Sequence, residues 1–217
     1  MNIHLGIRLK LSPADATRLG QLQDLFAKAC NQLAPLAQQT RCWNRVALHH
    51  QAYRQVRDQY PQLGSQMVCN AIYAVSRACR IVYQGEQSPF NIRLRGAAPL
   101  PLLRFMPDAP VYFDRHTLTI KQAQASLFTL EGRLHCAVDI TPQQLAHLAA
   151  SKVQEIALYL RDGAYELDFT VGAPAHRVGR HAPQRDTPYM LTRHVQVQDR
   201  GPAVAGDPVL PSSQIAS

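Results

Sequence analysis

The chain has 217 residues, 46% of them hydrophobic and 18% charged, enough to bury a proper core and far from the composition of a disordered or fibrous protein. No apolar run approaches the roughly 20 residues that cross a bilayer, and the first segment, with Arg8 and Lys10 among apolar residues, lacks the order of a signal peptide, so a cytoplasmic location without a membrane partner is expected. The net charge is +8, and the five cysteines (Cys30, Cys42, Cys69, Cys79 and Cys136) form no CxxC pair, which argues for reduced thiols, no metal site and no cofactor.

Asn2 to Leu11 alternates apolar and polar residues and predicts a half-buried strand. Ser12-Pro13-Ala14-Asp15 is a strong helix start, with serine as cap and proline at the first helical position. The helix is expected to reach about Leu33 and to be disturbed by Pro35. A second helix is predicted from Asn44 to Tyr60, stopped by Pro61, and a third from Ser65 to near Gly85. Phe90 to Pro110 reads as connecting chain. Short strands follow at Val111 to Phe113, Thr117 to Lys121, Ala125 to Leu130, Leu134 to Ile140, Ile156 to Leu160 and Tyr165 to Val171. Glu131-Gly132-Arg133 and Arg161-Asp162-Gly163 are turn signals between them, and Thr141 to Gln144 starts a short helix through Leu148.

The fold class is therefore α+β. A small antiparallel β-barrel of the wedge or OB kind (1–11 and 86–171) carries an inserted three- to four-helix recognition bundle (12–85). Residues 172–217 hold prolines throughout without a sustained period, and a disordered tail is expected there.

The third predicted helix separates its faces. At about 100° per residue, Val68, Ile72, Val75, Cys79 and Val82 share an arc roughly 80° wide, while Gln66, Asn70, Tyr73, Arg77, Arg80 and Gln84 share the opposite one. No acidic residue occurs from Gln59 to Gly85, and a polar face of one charge sign suggests a polyanion as partner. The charge balance agrees. Met1 to Arg80 holds ten Lys or Arg against three Asp or Glu, whereas Ile81 to Val171 holds eight against nine. On the second helix Arg41, Arg45, His49, Tyr53 and Arg57 recur every fourth residue beside Arg54, a possible phosphate track or a basic exposed face. His49-His50 lacks a carboxylate or cysteine at ligand spacing and is read as packing or capping. Trp43 and Tyr112 are read as core or bundle-edge residues.

Several segments, in order over about 11–171, resemble the N-terminal half of the TnpB family of transposon-encoded RNA-guided DNA nucleases, relatives of type V CRISPR effectors. Phe26 to Asn31 is similar to its "F..ACN" pattern, Asn44 with Leu48 to Arg57 to "N...LH...Y..IR", and Leu63 to Met67 with Ala71, Ile72 and Val75 to "L.SQM..RAI..V". Tyr112 to Thr119 resembles "YDDRTLS", Ser126 to Arg133 resembles "SL.TLEGR", and Leu158 to Gly163 with Tyr165 to Val171 resembles "L.YRDGKFYLHVTV".

The resemblance implies a wedge-like barrel with a recognition bundle that grips structured guide-type RNA and reads a short motif in duplex DNA. It implies nucleic-acid contacts by Gln66, Asn70, Tyr73 and Arg77, where amides suit adenine edges and arginine suits guanine or phosphate. Arg54 and Arg57 complete the expected binding set. The family continues into a RuvC nuclease domain with a G-[IV]-D-x-G strand, a later glutamate, a CxxC…CxxC zinc ribbon and a final aspartate. None of these motifs is present, the nearest fragment being Asp199-Arg200-Gly201, and Asp168 lies too early. Two-metal hydrolysis needs several converging carboxylates, so no catalytic residue, metal ligand or nuclease activity is expected. Two alternatives stand beside this reading. One is a frameshifted, non-functional transposon remnant. The other is an accessory subunit that docks a separate catalytic partner on the barrel face left exposed where a nuclease domain would sit.

Overall fold

The computed structural model describes residues 2–172 and 194–198. The chain starts with strand β1 (Asn2–Lys10) and continues into helices α1 (Pro13–Thr40), α2 (Arg45–Gln59) and α3 (Gly64–Gln84), with one 3-10 turn (Pro61–Leu63) between the last two. A short α4 (Ile92–Arg95) and strands β2 (Leu102–Phe105), β3 (Val111–Phe113), β4 (Leu118–Lys121), β5 (Gln124–Thr129) and β6 (Gly132–Asp139) follow. Helix α5 (Pro142–Ala150), strands β7 (Val153–Arg161) and β8 (Ala164–Gly172), and a last strand β9 (Val195–Gln198) complete the described elements. Among the described residues no helix is long and apolar enough to cross a membrane.

Seven strands form an antiparallel sheet in the order β3-β7-β8-β1-β6-β5-β4, curled into a nearly closed barrel. Its two edge strands, β3 and β4, are consecutive in the chain and joined by one tight turn. Strand β1 sits centrally, pairing with β8 over Asn2 to Arg8 and with β6 over Arg8 to Lys10. The inward residues alternate as a pleated strand requires: Leu134, Cys136 and Val138 on β6, and Tyr165, Leu167, Phe169 and Val171 on β8, are buried. The β7–β8 hairpin closes on Asp162 and Gly163, both at positive φ (50° and 76°), the conformation a two-residue primed turn demands.

Local chemistry sets the helix ends. Ser12 Oγ accepts from the Asp15 N–H at 3.2 Å, Asn44 Oδ1 from the N–H groups of Val46 and Ala47, and Thr141 with Gln144 forms a reciprocal capping box. Helix α1, however, runs through Pro35 to Thr40 instead of ending near Leu33. An internal proline costs about 3 kcal/mol. Leu33, Ala34 and Ala37 are all buried around it, and that packing holds the helix together.

The apolar faces of α1 and α3 meet, with α2 laid across them. One continuous core runs from this bundle into the barrel, from Leu22 and Phe26 through Ile72 and Val75 to Val111, Leu127 and Leu158. Helix α1 is also tied to the strands and their loops by two side-chain amides, that of Asn31 half-buried and that of Gln23 buried. Asn31 both donates to and accepts from the backbone of Phe105, at 2.9 and 2.7 Å, as a neighbouring strand would. Gln23 Nε2 donates to the carbonyls of Asp108 and Ala109, and its Oε1 accepts from the Tyr165 hydroxyl.

Two segments differ from expectation. The stretch read as connecting chain contains α4 and β2. Residues 195–198, expected within a tail lacking structure, form β9 antiparallel to β2, with Val195 paired to Phe105 and Val197 to Leu103. Val-Gln-Val-Gln is alternation enough for a strand once an edge is offered to it. The rest of the expected tail lies outside the described residues.

Candidate nucleic-acid interface

Helix α3 is enclosed on both sides over its first turns. Its apolar arc meets α1 and α2, as the periodicity predicts, but Gln66, Asn70, Tyr73 and Arg77 of its polar arc face β3, β7 and the β3–β4 turn of the barrel, while Arg80 and Gln84 face solvent. Asn70 is only 4% exposed, and its amide lies 3.7 Å from Met67 Sδ. Gln66 donates its amide to Asp114 Oδ2 in the β3–β4 turn. The Tyr73 hydroxyl donates to Glu155 Oε2 on β7, and Arg77 Nε donates to the same oxygen at 2.8 Å. Arg77 and Glu155 are 19% and 12% exposed, so this ion pair is largely shielded from water.

The rings around the pair complete an interlocked contact. Tyr73 meets Tyr112 edge to face with ring centres 5.4 Å apart, and the Arg77 guanidinium lies 5.8 Å from the Tyr112 ring centre. Burial first, then the Glu155 charge, pushes the Tyr73 hydroxyl well above its ordinary range. Burial raises that of Tyr112 as well. Both therefore keep their protons at physiological pH.

The expectation of an open polar face is thus corrected for Gln66, Asn70, Tyr73 and Arg77. A one-signed helix face needs a counter-charge, and here the barrel supplies it through Asp114 and Glu155. Neither acid was singled out from the sequence. The available signal was Glu155 itself, an isolated carboxylate next to the apolar run Ile156-Ala157-Leu158. Trp43 and Tyr112 are buried, as expected of core residues, Trp43 against Tyr83 with ring centres 5.2 Å apart.

The other expected contacts lie on the outside. Arg54 is exposed on α2, and Arg57 is half-buried, its guanidinium donating to the Pro61 carbonyl at 2.8 Å. His49 stacks on Tyr53 at 4.6 Å with 23° between the planes, and His50 meets His49 edge-on. Leu48, Ala52 and Val56 bury the opposite side of the helix. The outer face of α2 therefore presents three rings and two guanidinium groups together, with Asp58 the one acid on the helix. Arg45 leans over the Tyr73 ring at 5.5 Å from its centre, and Arg80 is exposed on α3. Arg41, by contrast, is spent on the carbonyls of Gly96, Ala97 and Ala98.

Such a face can offer charge to phosphates and ring surfaces to unpaired bases. Among the described residues no group of three His, Cys, Asp or Glu side chains is placed to hold a metal ion. No protein-family profile matches the chain, and no curated protein sequence matches it.

Proposed function

We propose that this chain is a nucleic-acid-binding module of the barrel-plus-bundle kind that it resembles, holding structured guide-type RNA beside duplex DNA without nuclease chemistry of its own. The observation that supports it is the outer face of α2, where Arg54 and Arg57 stand beside His49, His50 and Tyr53. The excess positive charge of the chain belongs to this helical part. Phosphate contacts of this sort position a polyanion without reading its sequence. The duplex-reading role that the resemblance gives to Gln66, Asn70, Tyr73 and Arg77 is left out of the proposal, because those side chains are engaged by Met67, Asp114 and Glu155.

The test is to purify the chain at moderate salt and sequence the RNA that stays with it. Enrichment of one structured RNA, released at high salt and lost in the double variant Arg54→Ala, Arg57→Ala, supports the proposal. Each lost phosphate contact lowers the slope of log affinity against log salt by about 0.7–0.9. A protein free of RNA, or one carrying random fragments indifferent to both substitutions, overturns it.

A further inference from the structure

A cavity of about 320 Å³ lies between the second half of α3 and strands β3, β7, β8 and β9. Tyr112, Tyr159 and Phe105 give it aromatic walls, and Ala74, Ala78 and Ala157 keep it open by their small side chains. Its size falls at the lower end of small-ligand pockets, about 300–1,000 Å³. That admits a nucleoside and excludes a folded chain.

One buried polar atom on its lining has no hydrogen-bond partner, and two hydroxyls beside it, less completely enclosed, make no hydrogen bond among the described residues. Tyr112 and Tyr159 are each 7% exposed, and neither hydroxyl makes a hydrogen bond. His194, also 7% exposed, has an unpaired Nδ1, which lies 3.4 Å from Asp108 Oδ2 without hydrogen-bond geometry. A buried atom such as His194 Nδ1 is normally satisfied by protein, water or ligand, and the two hydroxyls are open to the same partners from the cavity. Burial pushes the Tyr159 hydroxyl up to about 12, so it keeps its proton, and a donor, at neutral pH.

The charges on the lining are already matched. Arg77 pairs with Glu155 at 2.8 Å. Arg161 lies 2.9 Å from Glu166 and 3.7 Å from Asp168, whose other oxygen is 3.3 Å from His4. A phosphate or an ammonium would have to break these pairs. A neutral, planar molecule with hydrogen-bonding edges would not. Arg161 also lies 4.4 Å from the Tyr159 ring centre, fixing that ring in place.

We propose that this cavity receives a single nucleobase, held by ring contact with Tyr112 and Tyr159 and by hydrogen bonds from their hydroxyls. Two sources offer that chemistry: an unpaired base splayed from a bound strand, or a free nucleoside. The first rests on the nucleic-acid reading above, and the second does not.

The experiment uses the full chain with adenosine, guanosine, cytidine and uridine in turn, followed by ligand-observed NMR. A hairpin RNA with one bulged nucleotide is compared in parallel with its fully paired counterpart. One nucleoside is expected to bind independently of salt and to weaken about 3- to 10-fold in Tyr159→Phe, which removes only the hydroxyl. Ala157→Leu, which fills the cavity, should abolish the signal. A preference for the bulged hairpin that Tyr159→Phe erases assigns the base to a strand, whereas nucleoside binding without that preference assigns the pocket to a free nucleoside. Should no nucleoside bind and the hairpins bind equally, the inference is overturned, even if the chain holds RNA through α2. Nucleoside binding by a chain that retains no RNA upholds the pocket and removes the proposed function instead.

Discussion

Gln66, in the first turn of α3, donates its side-chain amide to Asp114, in the turn that joins the two edge strands of the barrel. The other carboxylate oxygen of Asp114 accepts from the N–H groups of His116 and Thr117, at 3.0 and 3.1 Å, and from the Thr117 hydroxyl. One side chain thereby holds the turn and ties it to the helix. Asp114→Ala removes all four bonds and leaves a half-buried amide without its partner, which predicts a loss of about 2–3 kcal/mol. Urea denaturation should show a lower midpoint at unchanged slope. A midpoint equal to that of the parent protein would mean that the turn is held by other groups.

Arg77 and Arg54 should separate stability from binding. Arg77→Met leaves Glu155 shielded and short of a cation. A fully buried pair broken this way costs about 3–5 kcal/mol, and the residual exposure of both groups here brings the expectation to about 2–4. Arg54→Ala touches an exposed side chain and should stay within about 0.5 kcal/mol. Thermal melting and RNA retention are measured on both variants. Loss of RNA with unchanged melting in Arg77→Met would show that the polar arc of α3 meets nucleic acid after all.

What could be read ahead of the structure was what local chemistry decides. Ser12, Thr141 and Asp162-Gly163 act on their own neighbours in the chain, and each does what its type predicts. The two arcs of α3 were legible too, since periodicity tells which residues share a face. It does not tell what covers that face. The partners of Tyr73 and Gln66 lie 82 and 48 residues away, beyond the reach of any local pattern. Pro35 misleads for the same reason, because burial of Leu33 and Ala37 against other elements outweighs a local penalty. Strand β9 is four residues long and becomes a strand only against β2.

Alkaline pH should destabilise the fold through its tyrosines. Burial raises the hydroxyls of Tyr73, Tyr83, Tyr112, Tyr159 and Tyr165, five of the eight in the chain. Each then binds its proton more tightly in the folded state. Its contribution is complete below the ordinary value of about 10 and fades as pH climbs through the folded value, about 12 for Tyr159. Tyrosinate absorbance of the native protein should therefore develop in two steps, the later one coinciding with loss of near-ultraviolet circular dichroism. A single step near pH 10 with the fold intact would mean that these rings are open to solvent.

The thiols report on the same interior from the helical side. Cys30 is fully buried on α1, its Sγ 3.8 Å from the Ala71 carbonyl of α3, and burial places its thiol far above the ordinary range. Burial pushes Cys79 up to about 12 and Cys136 up to about 11. Cys42 and Cys69 are only half-buried. Burial raises Cys69, and the nearby Arg45 opposes that shift. A disulfide reagent near neutral pH should reach the half-buried Cys42 and Cys69, the latter slowed by the burial that raises its thiol. Cys30, Cys79 and Cys136 should react only at the rate of unfolding, so that all five thiols are counted promptly only in denaturant. Removing Cys42 should delete the fast phase. Five thiols reacting at one rate in the native protein would mean that the α1–α3 interface opens faster than its packing allows.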